Sequence, residues 1–276
     1  MRRLQVVGMV AVLAVAMCQA AAAQQSKAEE DINAAVDGLQ TALAAGDAEA
    51  VGKLVSDSAF ALTAGMGQEP IVASKQEFLE YLRSQAQAMP GLQFADREIA
   101  VYLSVALVKA TIQVEDTSLP VSMALLRAGT AWKLVALFFT DREAVTDDQA
   151  LTEEVLRVAS ALPEVFVAGK LDQAEAALND PLVATVAVIP TGELYVSNSR
   201  SQLLGQLRGV IYMGAADVSR LEDPKVTVYG DVATVEGVWV MRFAGEGDWR
   251  MPFALHLAKR GDAGWKIVAA VGGPEG

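Results

Sequence analysis

Val101-Tyr102-Leu103-Ser104-Val105-Ala106-Leu107-Val108 returns 127 residues later as Val228-Tyr229-Gly230-Asp231-Val232-Ala233-Thr234-Val235. Working outward, Trp132-Lys133-Leu134-Val135-Ala136 returns as Trp265-Lys266-Ile267-Val268-Ala269 at an offset of 133, and Ser74-Lys75 through Leu82-Arg83 returns as Ser199-Arg200 through Leu207-Arg208 at an offset of 125. The order is kept and the offset drifts by a few residues, as small loop insertions would make it, so the chain reads as one domain written twice. The expected boundaries are 24–146 for the first copy and 147–276 for the second, behind a leader at 1–23.

Each copy opens on a helix. Ile32, Val36, Leu39 and Leu43 are spaced for one helical face, with Asp31 near the start and Gly46 at the end; Val155, Ala159, Leu162 and Phe166 lead likewise to Gly169. Asp47 is placed to cap a short second helix through Leu54, and Leu171 to Leu178 repeats it. Short extended segments follow at 59–63 and 182–189, closed by Gly65, Gly67 and Pro70 or by Pro190 and Gly192. A third helix then starts at Ser74 or Ser199.

Beyond those helices the period changes to two. Ala233, Val235, Gly237, Trp239, Met241 and Phe243 share one strand face and Thr234, Glu236, Val238, Val240 and Arg242 the other; Ala106, Val108, Ala110, Ile112 and Val114 form the matching apolar face in the first copy. The final hairpins run over 121–126 with 131–140 and over 249–259 with 264–271, turning at Gly129 and Gly261. Residues 131–139, Lys133 aside, and 267–271 are apolar on both faces, so each last strand needs cover from its own helices and from a second sheet. An intramolecular pseudo-dimer, sheet against sheet, supplies it.

Helix, short helix, strand, helix and a meander ending in Trp-Lys-aliphatic-Val resembles the nuclear transport factor 2-like superfamily, and more closely its SnoaL-like and ketosteroid-isomerase-like members. The resemblance rests on Gly46-Asp47, the two Val-Tyr-x-x-Val-Ala elements and Arg260-Gly261-Asp262-Ala263-Gly264-Trp265-Lys266-Ile267-Val268, and spans roughly 30–143 and 152–272. It implies an α+β fold of two cone-shaped domains, each a curved antiparallel sheet wrapped around three helices with a pocket between them. Members that do chemistry usually place an Asp, Glu, His or Tyr inside the cone, where desolvation tunes proton transfer. The apolar faces above hold no such group.

Arg2 and Arg3, the apolar run 6–17 and Ala21-Ala22-Ala23 read as an export signal cleaved before Gln24, which implies a periplasmic or secreted protein. The alternative is a lipoprotein anchored through Cys18. Cleavage removes the only cysteine and leaves 20 basic against 34 acidic side chains, a net charge of −14. Without disulfides each core must suffice, and the acidic balance argues against nucleic acid and membrane surfaces as partners.

His256, the only histidine, excludes a histidine-rich metal site; it sits on a strand opposite the large apolar face, as a domain-contact residue or a general base. Asp116, at the outer end of its strand, is the other catalytic candidate. Tyr102, Ile112, Tyr229, Trp239 and Met241 are the candidate ligand contacts, the tyrosines reading equally as amphipathic strand residues with a wet tip. No phosphate-binding glycine loop or metal-ligand cluster is present in the sequence, so no cofactor is implied. The reading is an exported non-catalytic binding or scaffold protein, with an apolar pocket in each domain for a small hydrophobic molecule or peptide. Its rival is a SnoaL-like isomerase, cyclase or hydrolase of a hydrophobic substrate. A carboxylate and a hydroxyl within hydrogen-bond reach in one pocket would favour the enzyme; purely apolar linings favour binding.

Overall fold

The computed structural model describes residues 2–66, 69–85, 88–145, 148–180, 182–188, 193–213, 216–245 and 247–274. Among them the first half contains helices α1 (Arg2–Ala44), α2 (Ala48–Leu54) and α3 (Lys75–Gln85) and strands β1 (Ala61–Gly65), β2 (Ile71–Ala73), β3 (Gln93–Tyr102), β4 (Val105–Val114), β5 (Thr117–Ala128) and β6 (Ala131–Thr140). The second half repeats the order with α4 (Gln149–Ala168), α5 (Leu171–Ala177), α6 (Arg200–Met213), β7 (Ala184–Val188), β8 (Leu194–Ser197), β9 (Val218–Tyr229), β10 (Val232–Arg242), β11 (Trp249–Lys259) and β12 (Trp265–Gly272). The sheets have the same order, β2-β1-β6-β5-β4-β3 and β8-β7-β12-β11-β10-β9.

Local chemistry sets the helix ends. Asp47 accepts from the Ala50 N–H at 2.9 Å, and Asp148 caps α4 through the Leu151 N–H at the same distance. Ser74 and Glu77 form a reciprocal capping box, the Ser74 N–H reaching Glu77 Oε2 at 2.8 Å. Gly169 closes α4 in the left-handed conformation at φ 65°. Several bounds differ from the expectation, the start of α1 most of all. Helix α1 starts at Arg2 rather than near Asp31, because the Ala-, Val- and Leu-rich stretch before Asp31 contains no proline. Strands β2 and β8 are too short to show alternation in sequence. Gly67, Ile189, Pro190 and Gly192 lie outside the described residues, as does the side chain of Cys18.

The meanders are antiparallel, whereas β1 beside β6 and β7 beside β12 are parallel. Bulges bend each sheet around its helices, and they recur at equivalent places. Asp96 (φ 52°) and Asp223 (φ 49°) take the left-handed conformation where β3 and β9 slip register against β4 and β10. Val135 and Val268 are the extra residues where β6 and β12 slip against β5 and β11. The concave faces bury two cores, one from Ile32, Val36, Leu39, Val51, Phe78 and Leu79 against Leu62, Val108, Met123, Leu134 and Leu137, the other from Val155, Ala159, Leu162, Leu203 and Leu204 against Val235, Leu255, Leu257 and Ile267.

A third buried cluster lies between the convex faces of the sheets. Ala61, Val105, Val135, Ala136 and Phe138 of the first meet Ala184, Val232, Val268, Ala269 and Val271 of the second. Gly65 is needed at this seam: a Cβ there would fall 2.4 Å from Val232 Cγ2 and 2.7 Å from Thr140 Oγ1. Asn198 Oδ1 accepts from the Phe60 N–H at 3.1 Å, Lys109 pairs with Glu236, and the Val145 N–H donates to the Val228 carbonyl at 2.7 Å, so the connector between the halves is tied down. No helix among the described residues is long and apolar enough to cross a membrane.

Candidate functional site

The two cones differ inside. Under the second sheet lies a cavity of about 450 Å³, lined by Leu162 and Phe166 of α4, Gln206 and Val210 of α6, and Leu221, Trp239, Met241, Phe243, Trp249, Met251, Phe253 and Leu255 of the meander. Under the first sheet the void between Val36, Leu39, Met123 and Trp132 measures about 10 Å³. Among the described residues, the corresponding space in the first half is packed with core side chains.

Strand register shows why. In the first half Leu62 of β1 lies beside Leu137 of β6, and Ala64 beside Phe139. At the same register in the second half Thr185 lies beside Ala270, and Ala187 beside Gly272. Leu62 and Leu137 are buried in the first core and Phe139 packs against it, whereas Thr185, Ala270 and Gly272 line the cavity. Two leucines and a phenylalanine thus become threonine, alanine and glycine on the cavity wall, which leaves space that the first half fills. Gly272 cannot refill it, since a Cβ there would sit 2.8 Å from the Pro252 carbonyl oxygen.

The helix above the cavity has changed in parallel. In the first half Gln40 Oε1 accepts from the Phe94 N–H at 2.8 Å, and Arg97, in the β3 bulge, donates to Gln40, Asn33 and the Phe94 carbonyl and pairs with Asp37 at 2.7 Å. Counting from the paired glycines Gly46 and Gly169, Gln40 corresponds to Pro163; counting from the paired aspartates Asp96 and Asp223, Arg97 corresponds to Pro224. Proline has no amide hydrogen and neither side chain can make this latch. Pro163 instead lines the cavity.

The wall is aromatic. Phe166 and Trp239 meet edge to face with centroids 5.1 Å apart, Phe243 and Trp249 are tilted at the same separation, and Trp239 Nε1 is satisfied by Ser219 Oγ at 2.8 Å. Polar groups in the lining are few. The Tyr195 hydroxyl donates to Glu193 Oε2 at 3.3 Å in an exposed position, and burial, then the charge of Glu193, raises the Tyr195 phenol above its ordinary value. Thr185 and Gln206 are lining residues whose Oγ1 and Oε1 atoms are themselves closed off by packing and have no hydrogen-bond partner among the described residues. Among the described residues no three His, Cys, Asp or Glu side chains gather as a metal site.

The residues singled out from sequence go to several places. Trp239 and Met241 line the cavity. Ile112, the counterpart of Trp239, packs against the filled core of the first half. Tyr102 borders a cleft between the sheets together with Lys109, Lys225 and Glu236. Tyr229 packs into the seam with its ring 5.8 Å from Phe138, and burial, then the Glu236 carboxylate, raises its phenol. His256 is 2% exposed in the same seam, its Nε2 3.3 Å from Ser122 Oγ and its ring 5.3 Å from Phe138; burial pushes its pKa down to about 4. Asp116 is exposed in the two-residue turn between β4 and β5. Asp116, His256 and the two tyrosines do not converge on the cavity. Thr185, Gln206, Glu193 and Tyr195 were not singled out, and only a position-by-position comparison of the two halves exposes Thr185.

Residues 32–137 match the family model described as a SnoaL-like domain. Solved structures similar to part of the chain include a nuclear transport factor 2-like protein of unknown function from Silicibacter pomeroyi (16% identity over 42% of this chain and 96% of that one, TM-score 0.38). Others are a nuclear transport factor 2-like protein from Cytophaga hutchinsonii (16%, 41% and 96%, TM-score 0.36) and a superfamily protein from Salmonella enterica (18%, 46% and 92%, TM-score 0.38). No functionally curated protein matches the chain. Residues 32–137 thus carry a SnoaL-like match, and the second half repeats the strand order of the first.

Proposed function

We propose that this is an exported, non-catalytic binding protein that holds one small hydrophobic molecule in its second half, while its first half is a filled structural copy packed against it as an intramolecular pseudo-dimer. The observation that carries the reading is the cavity of about 450 Å³, opened where Leu62 and Leu137 give way to Thr185 and Ala270. Its size and aromatic lining suit a small organic ligand. Export is supported by Arg2-Arg3, the apolar run 6–17 and Ala21-Ala22-Ala23. Among the described residues, Ala28 and Ile32 of α1, both beyond Gln24, take part in the first core. N-terminal sequencing of protein recovered from the cell envelope is expected to return Gln24; an acylated Cys18 would show a lipoprotein instead.

One observation favours the enzyme reading, the Glu193–Tyr195 contact in the lining. A carboxylate tuned for proton transfer sits in a desolvated site, but Glu193 is exposed and Tyr195 is a weaker acid than usual. Binding is the better fit. Titration of the full chain with the neutral fluorophore N-phenyl-1-naphthylamine tests it. Enhanced fluorescence is expected for the native sequence and none for Thr185→Leu/Ala270→Leu, which restores the first half's pair. Equal enhancement in both would remove the cavity as the site.

A further inference from the structure

The shared fold does not require the rings around the second cavity. Strand pairing and the paired glycines set Phe166 where the first half has Leu43, Tyr195 where it has Ile71, Trp239 where it has Ile112, Trp249 where it has Thr117 and Phe253 where it has Val121. All five line the cavity, and Tyr195, Trp239 and Trp249 are half-buried, so part of each stays accessible. Aliphatic side chains would line an apolar space as well; what rings add is a negative π face, tryptophan's the strongest. The same lining carries one formal charge among the described residues, the Glu193 carboxylate. It is exposed, accepts from the Tyr195 hydroxyl at 3.3 Å, and has no Lys or Arg at ion-pair distance among the described residues. The arginines of the neighbouring strands are committed elsewhere, Arg220 and Arg250 to Glu222 and Arg242 to Asp248.

Resting on the binding reading above, we propose that the second cavity takes a hydrophobic ammonium cation, whose apolar body enters among the rings while its charged head stays on the solvent side with Glu193. Positive charge is drawn to π faces and to an unneutralised carboxylate, and this lining offers both. A wholly buried ammonium would lose its hydration; the exposure of Glu193 lets the head remain wet while the body is buried, as long amphipathic side chains do at surfaces. The acidic balance of the chain, 22 basic against 34 acidic side chains, favours the approach of a cation. An anion would meet no cationic partner among the described lining residues.

The test is calorimetric titration of the full chain at neutral pH with three compounds on one ring system: 2-naphthylmethylamine, which is protonated there, 2-naphthalenemethanol and 2-naphthoate. The amine is expected to bind about tenfold more tightly than the alcohol, the combined worth of a partly exposed charge pair and a cation–π contact. The naphthoate should bind more weakly than either. Glu193→Gln, at an exposed site that leaves the cores untouched, should cut the advantage of the amine to about threefold, the share of the rings, and leave the alcohol unchanged. Equal affinity for amine and alcohol, tighter binding of the naphthoate, or an advantage that Glu193→Gln leaves whole overturns the cation recognition. So does failure of all three compounds to bind while N-phenyl-1-naphthylamine fluorescence is still enhanced, and in each of these cases the binding reading stands. Failure of the fluorophore as well overturns both.

Discussion

Leu137 and Ala270 occupy the same place in the two halves, and what they fill or leave open separates a core from a cavity. Restoring the pair in the second half with Thr185→Leu/Ala270→Leu should raise stability to urea by about 1–2 kcal/mol, because it fills part of a void and removes an orphaned hydroxyl. Unchanged or lower stability would mean that the cavity walls collapse or clash around the new side chains. His256 gives a second residue-scale expectation. Its pKa is about 4 in the folded chain against 6.5 for the free side chain, so between those values the unfolded chain binds more protons and stability falls as pH falls. The loss amounts to about 3 kcal/mol on complete passage from pH 6.5 to 4, at roughly 1.4 kcal/mol per pH unit. The lowered carboxylates Asp57, Glu77, Glu222 and Asp248 act further down the acid range, which leaves the slope between pH 6.5 and 5 to the histidine. Denaturant midpoints across that interval should lose this slope in His256→Gln; an unchanged slope would place the titration elsewhere. Trp239 and Met241 could be read as inward-facing from strand alternation alone. Thr185 and Ala270 could not, because the repeat offset is 123 at one and 133 at the other and only strand pairing aligns them with Leu62 and Leu137.

At the scale of elements, the differences between the copies concentrate where helix meets sheet. Arg97 clips α1 to the β3 bulge through Gln40, Asn33 and Asp37, and the prolines at 163 and 224 replace that clip in the second half. Arg97→Ala should cost about 2 kcal/mol through lost charge-assisted hydrogen bonds. Hydrogen exchange should show the loss in α1 and β3 rather than in α4 and β9; protection lost evenly across both halves would count against a local clip. The long helices and strands were legible in the sequence because their periods run for about ten residues or more, and α2 because Asp47 marks its start. Strands β2 and β8, three and four residues long, left no such trace, and the bulge residues Val135 and Val268 are hidden within continuous apolar runs. The start of α1 was misplaced because amphipathic spacing marks where a helix begins to be buried, not where it begins.

Across the whole molecule, the seam between the sheets uses matched positions from both halves: Val105 with Val232, Val135 with Val268, Ala136 with Ala269, and Ala61 with Ala184. One exception has chemical consequences, since His256 stands where the first half has Ala124 and meets Ser122 and Phe138 across the seam. Phe138→Ala should cost about 3–5 kcal/mol, as expected for a buried aromatic truncated to a cavity. The native chain is expected to unfold in one transition and the variant in two, because Phe138 touches the second half at both His256 and Tyr229. A single transition in the variant would mean that the seam survives without it. On the function proposed, the two domains have diverged, one into a filled core and one into a binding site. Calorimetric stoichiometry with N-phenyl-1-naphthylamine tests this most directly. The account predicts one molecule bound per chain and no binding to Thr185→Leu/Ala270→Leu; two molecules per chain, or undiminished binding to that variant, would contradict it.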